Sequence, residues 1–292
     1  MYDDESLQRL VPDGIIDSRA RPPIDGFLAD RTYANLDRTV GNIENRGWKA
    51  PTSLLKRSLP EYLRESQEAG ISLAGVPARA PNRWMGGKGN QPVFEACNQS
   101  NGFFMAYAAV DPTSADAAGS IAGLKAQGAK AIVFEPGVAD EPTYIDDPGI
   151  SEVYESCMAA ELPALVMSGG EAGPDTSYSD PVRLDRIAQR FPDLRIVNVH
   201  GGWPYVQGAL GVAFRRPNVW MLPDVYFPGL TGEADYVVAM KTFLQDRFLF
   251  ATGYPFCPIK ATVDRYLSFS LPESVIQKVF RENAVQLFGL DK

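Results

Sequence analysis

Short apolar runs alternate with amphipathic stretches along almost the whole of this 292-residue chain. Most of the runs are nearly continuous in apolar residues, which is typical of parallel strands that are buried on both faces. The stretches between them, such as 114–127 and 181–191, have the apolar spacing of helices. The pattern predicts strands at residues 14–18, 71–76, 103–110, 129–134, 164–167, 195–199, 219–222 and 248–251.

Eight strands that alternate with helices predict an α/β fold, specifically a (β/α)8 TIM barrel. Barrels of this class commonly reach the present length as one unit, so we expect a single domain over residues 1–292. The polar stretch at residues 21–60 follows the first strand and contains no strand of its own. We expect it to be a long loop insertion that covers the mouth of the barrel.

The acidic composition narrows the classes of partner. The chain has 28 Lys and Arg residues against 36 Asp and Glu, a net charge of −8, and a pI near 4.9. A nucleic acid requires a basic face, so we expect no nucleic-acid partner. No apolar run approaches the roughly 20 residues of a membrane-spanning helix, and the acidic first residues do not resemble a signal peptide. We therefore expect a cytoplasmic protein with no membrane partner.

Cysteine and histidine usage limits the metal chemistry. The three cysteines are widely separated and lack C-x-x-C spacing, which argues against a disulfide scaffold or a zinc knot and fits a reducing compartment. His200 is the single histidine of the chain. Zinc hydrolases of the common types use two or three histidine ligands, and this chain cannot supply them.

Polar side chains follow the predicted strands at the end where TIM barrels place their chemistry. In chain order they are Arg19 and Arg21, Arg79, Asp111, Glu135, Ser168, His200, Asp224 and Tyr226, and Tyr254. A polar rim on apolar strands predicts a site at this end of the barrel.

Five segments resemble the amidohydrolase-2 branch of the amidohydrolase superfamily, which includes metal-dependent aromatic-acid decarboxylases and the 2-pyrone-4,6-dicarboxylate lactonase. The segments are IDSRAR at 16–21, LPALVMSG at 162–169, IVNVHGG at 196–202, FATGYPF at 250–256 and ENAVQLFGL at 282–290. They are similar to the family's I-D-x-H-x-H opening, its L-P-(apolar)3-H-T-G, its apolar run ending in H-x-G, its G-(S/T)-D-Y-P-F and its N-A-x-x-L-F-G-L ending. Five pieces in this order, at barrel spacing, identify the chain as a member of the family.

The chain departs from the family at the metal ligands. The positions that resemble the family's five ligands hold Arg19, Arg21, Met167, His200 and Gly253. Two cationic side chains would repel a divalent ion. We therefore expect no catalytic metal and no cofactor. The missing aspartate at the position of Gly253 also removes the family's usual general base, so its mechanism does not carry over whole.

Arginine and histidine are the strongest candidates for function. Arg19 and Arg21, two apart on a strand, face the same side and suit bidentate binding of a substrate carboxylate, with Arg79 as a weaker candidate. The alternative is that they pair with rim carboxylates such as Asp17 or Glu135. We expect His200 to act as general acid or base, or as donor to an oxyanion; otherwise it is a satisfied core residue.

Three carboxylates are candidate bases. Asp224 is preferred, Glu135 could equally neutralise Arg19 or Arg21, and Asp111 before a proline is typical of a turn that ends a strand.

Three further rim side chains are candidates for substrate binding. Tyr226 and Tyr254 are expected to stack on the substrate or donate to it, and Ser168 to hydrogen-bond it, with plain packing as the alternative for the tyrosines.

These features together predict a metal-independent, amidohydrolase-like hydrolase that acts on a small anionic organic substrate. The substrate would be a cyclic or aromatic carboxylate, and the reaction hydrolysis of a lactone or a related C–O or C–N bond. A non-oxidative decarboxylase or other lyase is the first alternative. The second is a catalytically inactive barrel that serves as a binding protein or partner subunit. The sequence leaves the oligomeric state open. The partner that we expect is a second copy of this chain, paired through the outer helices.

Overall fold

A curled, seven-stranded parallel sheet forms the centre of the molecule in the computed structural model, which describes residues 4–291 and the side chains of residues 6–291. The strands pair in sequence order, β1 with β2 through to β6 with β7. Their bounds are β1 Ile15–Asp17, β2 Ile71–Pro77, β3 Phe104–Ala109, β4 Ala131–Phe134, β5 Ala164–Met167, β6 Ile196–Val199 and β7 Val219–Leu222. The sheet and its covering helices confirm the predicted TIM-barrel-like α/β fold.

The prediction of a regular eighth strand at residues 248–251 is wrong. Residues 248–251 form no regular strand, but their backbone still closes the gap between β7 and β1. The Leu249 N–H donates to the Met221 carbonyl at 3.0 Å, and the Ser18 N–H donates to the Phe250 carbonyl at 2.9 Å. Within the described residues this segment pairs through isolated bridges, such as Met221 with Phe248, and forms no continuous ladder on either side.

Helices surround the sheet. The α-helices are α1 Asp4–Leu10, α2 Asp25–Leu28, α3 Arg31–Ala34, α4 Leu36–Glu44, α5 Thr52–Leu55, α6 Leu59–Glu68, α7 Gln91–Gln99, α8 Ala117–Ala126, α9 Ser151–Ala159, α10 Pro181–Arg190, α11 Val206–Arg215, α12 Glu233–Lys241, α13 Ile259–Leu267, α14 Glu273–Gln277 and α15 Asn283–Phe288. A π-helical turn, Lys278–Glu282, joins α14 to α15. Within residues 4–291, no helix combines the length and apolar character needed to cross a membrane.

Helix α10 shows how the sequence sets these elements. The Asp180 carboxylate accepts a hydrogen bond from the Val182 N–H, and Pro181 occupies the first helical position, where its missing N–H costs nothing. Leu184, Ile187 and Ala188 recur at i, i+3 and i+4 and are all buried against the sheet. The cap and the apolar face therefore fix where the helix begins and which side packs inward.

The stretch 21–60 is not the long loop that the sequence predicts. It contains the four short helices α2 to α5 and the start of α6. These helices pack through a few buried apolar side chains, which the polar average of the stretch conceals. They include Phe27, Tyr33, Ile43 and Leu54.

Candidate active site

A cleft of about 390 Å³ opens at the carboxyl ends of the strands. Side chains that follow β1, β2, β6 and β7 line it, together with side chains from α3, α4 and the turn after α4. The cationic part of its lining consists of Arg19, Arg21, Arg31, Arg38, Arg46 and Arg79. A volume of this size suits a small organic molecule.

His200 and Asp224 form a buried pair at one side of the cleft. His200 follows β6 directly, and its Nδ1 lies 2.8 Å from Oδ1 of Asp224. Oδ2 of the same aspartate accepts a hydrogen bond from Nη1 of Arg19 at 2.7 Å. Asp224 is completely buried. One carboxylate therefore orients both the imidazole and a guanidinium.

Both members of this pair have backbone conformations that L-residues rarely adopt. The φ angle is 67° at His200 and 34° at Asp224. Such conformations cost about 1–3 kcal/mol each and are found preferentially at functional sites. Here they turn two neighbouring strand ends so that the side chains meet.

The electrostatics of the pair favour a neutral imidazole beside an ionised carboxylate. Burial lowers the pKa of His200 below its ordinary 6.5, and the opposing effect of Asp224 only partly offsets it. Burial raises the pKa of Asp224, but the nearby His200 and Arg19 lower it further, so the net shift is downward. A neutral imidazole that donates its Nδ1–H to Asp224 keeps Nε2 as an acceptor. No residue in the described part of the chain hydrogen-bonds Nε2.

Two aromatic side chains lie on one side of this imidazole. The Tyr226 ring meets His200 edge-on, with 5.1 Å between ring centroids. It also stacks on Trp203 at 5.2 Å with an interplanar angle of 17°. The Tyr226 hydroxyl accepts a hydrogen bond from the Glu171 N–H at 3.3 Å. The imidazole therefore faces a cleft with one apolar wall.

Carboxylates under the cleft hold the other two rim arginines. Nη2 of Arg21 lies 3.1 Å from Oε1 of Glu135, and Nε of Arg79 lies 2.8 Å from Oε2. Arg79 also pairs with Asp30 at 3.2 Å. Burial and the neighbouring Arg79 and Arg19 lower the pKa of Arg21 to about 9, so it stays charged at neutral pH. Its Nε is buried and has no hydrogen-bond partner in the part of the chain that the structure describes.

Asp17 joins β1 to the segment that closes the barrel. Its carboxylate accepts hydrogen bonds from the Thr252 N–H at 2.9 Å, the Thr252 hydroxyl at 2.5 Å and the Arg19 N–H at 3.1 Å. Burial raises its pKa to about 6. These bonds position the backbone from which Arg19 enters the cleft, so Asp17 has a structural partner other than the Arg19 guanidinium.

The structure gathers most of the predicted site residues in one place. Those that line the cleft are Arg19, Arg21, Arg79, His200, Tyr226 and Tyr254, with Asp224 directly behind His200. The Tyr254 hydroxyl lies 2.8 Å from the Ser53 hydroxyl, so it already has a hydrogen-bond partner within the protein.

Glu135 and Ser168 differ from the functional expectation. Both oxygens of Glu135 are occupied by arginines, and the charges of Arg79 and Arg21 outweigh burial and lower its pKa, so it is a counter-ion and a poor base. The Ser168 hydroxyl donates to Asn198 and does not line the cleft. Asp111 lies outside the cleft, and its side chain caps a turn through Thr113.

Sequence reasoning missed the arginines that enter from the 21–60 stretch. Arg31, Arg38 and Arg46 line the cleft, and the first two pair with Glu171 from the loop after β5. Their spacing of seven and eight residues, close to two helical turns each, is the pattern that could have indicated a common face.

Comparisons with known proteins agree with the fold and the motifs. The Amidohydrolase family model matches residues 54–290. An uncharacterised TIM-barrel protein from Bordetella bronchiseptica is similar in structure, with 33% identity, a TM-score of 0.90 and coverage of 94% of this chain and 98% of that one. The comparison with curated proteins gave no match.

Two more distant structures share the fold alone. A probable 2-pyrone-4,6-dicarboxylic acid hydrolase from Acinetobacter baumannii, with citric acid bound, has 12% identity and a TM-score of 0.65, over 95% of this chain and 100% of that one. A dihydroxybenzoic acid decarboxylase from Polaromonas sp. JS666, with bound manganese and an inhibitor, has 18% identity and a TM-score of 0.65, over 96% and 98%.

The fold and the cleft define a TIM-barrel-like α/β protein with its candidate site at the carboxyl ends of the strands. Since the family model matches most of the chain, the chain belongs to the amidohydrolase family. The family, and the two more distant neighbours by their names, are enzymes.

The residues of this cleft do not fit a divalent metal such as the manganese of the Polaromonas structure. Its carboxylates are already committed: Asp17 to Thr252, and Asp224 to His200 and Arg19. Six arginines line the cleft, and their positive charge repels a cation. Over the described residues, no group of three or more His, Cys, Asp or Glu side chains could hold a metal ion.

Proposed function

We propose that the protein is a metal-independent hydrolase that opens the ester bond of a small cyclic carboxylate. One observation carries this proposal: His200 lines the cleft and is oriented by Asp224 through Nδ1, while Nε2 has no hydrogen-bond partner among the described residues. A neutral imidazole held in this way is a general base for water. Asp224 acts as a positioning residue that fixes the tautomer.

The arginines supply recognition. Arg19 and Arg21 line the cleft beside His200, and Nη1 of Arg21 has no hydrogen-bond partner among the described residues and keeps some exposure to solvent. A guanidinium N–H of a largely buried side chain gains a strong hydrogen bond when a ligand in the cleft accepts it. A substrate carboxylate is such an acceptor, and the bond is charge-assisted.

The reaction follows from these positions. Nε2 of His200 accepts a proton from a water molecule while the water oxygen bonds to the ester carbonyl carbon. The resulting oxyanion lies in a cleft lined by guanidinium N–H donors, which lower its energy. The ring C–O bond then breaks, and the imidazolium returns the proton to the leaving oxygen. The product is the ring-opened acid, and no other reactant is consumed.

Hydrolysis is favoured over decarboxylation by the protonation state of the histidine. Decarboxylation of an aromatic acid requires a donor that delivers a proton to the ring carbon. Burial lowers the pKa of His200, so at neutral pH the imidazole lacks that proton and suits a base. An inactive barrel has no need for an imidazole held at positive φ with an open nitrogen, so this arrangement also favours an enzyme.

The test compares two reactions after treatment with excess EDTA. We expect ring opening of 2-pyrone-4,6-dicarboxylate or a related lactone acid, followed by proton release, and no CO2 release from 2,6-dihydroxybenzoate. The His200→Asn variant should abolish turnover, and it is a fair control because Asn tolerates a left-handed backbone. CO2 release alone would establish the decarboxylase. Loss of turnover with EDTA and its recovery with manganese would refute metal independence.

A further inference from the structure

We propose that Arg46 binds a second carboxylate of the substrate, which makes the protein selective for ring dicarboxylates over monocarboxylates. This inference rests on the proposed function and adds the substrate class. It assigns a specificity role to a side chain from the turn after α4, outside the barrel motifs and outside the span of the family match.

Arg46 differs from the other cleft arginines in its charge balance. Five of the six have a carboxylate partner: Arg19 has Asp224, Arg21 has Glu135, Arg31 and Arg38 share Glu171, and Arg79 has Glu135 and Asp30. Arg46 has no ion pair with any carboxylate in the part of the chain that the structure describes. Six guanidiniums line the cleft and only four carboxylates pair with them, so the cleft carries more positive than negative charge among these groups. Such a balance attracts a dianion.

The protein holds Arg46 in place by one edge only. Nη1 donates to the Val225 carbonyl at 2.6 Å and lies 3.4 Å from Sγ of Cys257. Burial raises the pKa of the Cys257 thiol to about 12, so this thiol is neutral and does not compensate the charge. The anchor positions the guanidinium without neutralising it.

The opposite edge of the guanidinium is free. Neither Nε nor Nη2 of Arg46 has a hydrogen-bond partner among residues 6–291. These two N–H groups form the planar fork that matches a carboxylate bidentately. Arg46 lines the cleft and neither of these two nitrogens is closed off from solvent, so the fork is accessible to a bound acid.

Two separate carboxylate sites follow. Arg46 is anchored to Val225, next to Asp224, whereas Arg21 is anchored to Glu135 beyond β4. Arg21 offers Nη1, which has no hydrogen-bond partner among the described residues, within a side chain that is 9% exposed. A ring acid with carboxylates on two of its edges satisfies both arginines, and a monocarboxylate satisfies one.

Binding of benzoate and benzene-1,3-dicarboxylate, measured by calorimetry at low and high salt, tests this inference. The wild-type protein should bind the dicarboxylate at least tenfold more tightly than benzoate. In Arg46→Met this ratio should fall below threefold while benzoate affinity changes less than threefold. Arg57→Met is the matched control, since Arg57 lies nearby in sequence, also donates to a backbone carbonyl and does not line the cleft.

Arg46→Lys provides a second variant that keeps the charge and removes the fork. It should lose most of the preference, and it covers the case in which Arg46→Met fails to fold. A tenfold preference that persists in both variants overturns the role of Arg46 and leaves the proposed function standing. If the wild-type protein binds neither acid, carboxylate recognition by this cleft is refuted, and the proposed function with it.

Discussion

His200 and Asp224 meet through a 2.8 Å contact between Nδ1 and Oδ1, although each reaches it from a left-handed backbone at the end of a different strand. Arg19 occupies the second oxygen of the same carboxylate. The aspartate therefore has three tasks in a completely buried position: it orients the imidazole, fixes the proton on Nδ1 and neutralises an arginine.

Replacing Asp224 by asparagine tests two roles of this carboxylate: orientation of the His200 imidazole and stabilisation of the folded protein. Loss of the carboxylate removes the charge that raises the pKa of His200 and lets the ring adopt the other tautomer. We expect turnover to fall about 10²–10⁴-fold, the usual contribution of a positioned base. Removing one member of a buried ion pair should also cost about 3–5 kcal/mol of unfolding free energy. Steady-state kinetics and chemical denaturation measure the two effects, and unchanged turnover would exclude a catalytic pair.

Glu135→Gln should affect stability far more than chemistry. Glu135 holds Arg21 and Arg79 in a buried network, so its neutralisation should cost about 3–5 kcal/mol. The folded fraction should keep its kcat within about tenfold, because Glu135 does not line the cleft. A stable Glu135→Gln protein that has lost more than 10³-fold in kcat would instead make Glu135 the base.

Much of the fold was predictable because each buried parallel strand corresponds to a continuous apolar run in the sequence. The predicted bounds of β5 and β7 coincide with the observed ones. The closing segment at 248–251 was not predictable as irregular, since its hydrogen bonds are divided between two strands that are distant in the chain.

The members of the site that follow the strands were largely predictable, but their pairing and the arginines from outside the strands were not. The ends of the strands indicated Arg19, His200 and Asp224. The sequence could not show that Asp224 would form its ion pair with Arg19, 205 residues away, instead of with another cationic side chain. That choice depends on the backbone angle of Asp224 and on burial, which arise only in the folded chain. Arg46 was missed for a similar reason. Only the folded structure shows that this arginine lines the cleft and lacks the carboxylate partner that the other cleft arginines have.

Asp17 should make the protein less stable as the pH rises. Its pKa is about 6 in the folded protein and 3.8 ordinarily, so the folded state binds the proton more tightly. This stabilisation is complete below pH 3.8 and is lost as the pH rises through 6. The free energy of unfolding of wild type relative to Asp17→Asn should therefore fall by about 2 kcal/mol between pH 4 and 7. A pH-independent difference would contradict the raised pKa.

Glu171→Gln should change ligand binding more than folding. Glu171 pairs with Arg31 and Arg38 at the mouth of the cleft, and all three side chains are more than a third exposed. Exposed ion pairs contribute about 0–1 kcal/mol, so the thermal midpoint should hardly move. The two released cations should tighten dicarboxylate binding several-fold at low salt, and the gain should vanish at high salt. Weaker binding at low salt would show that Glu171 supports the closed cleft instead.

The single histidine allows the central claim to be measured directly. A ¹⁵N NMR titration of the protein follows only His200. The account requires the tautomer with the proton on Nδ1, a free Nε2 and a pKa below 6.5. Addition of manganese or zinc should leave the resonances unchanged. A proton on Nε2, a pKa at or above 6.5, or stoichiometric metal binding at the imidazole would contradict a metal-free general base.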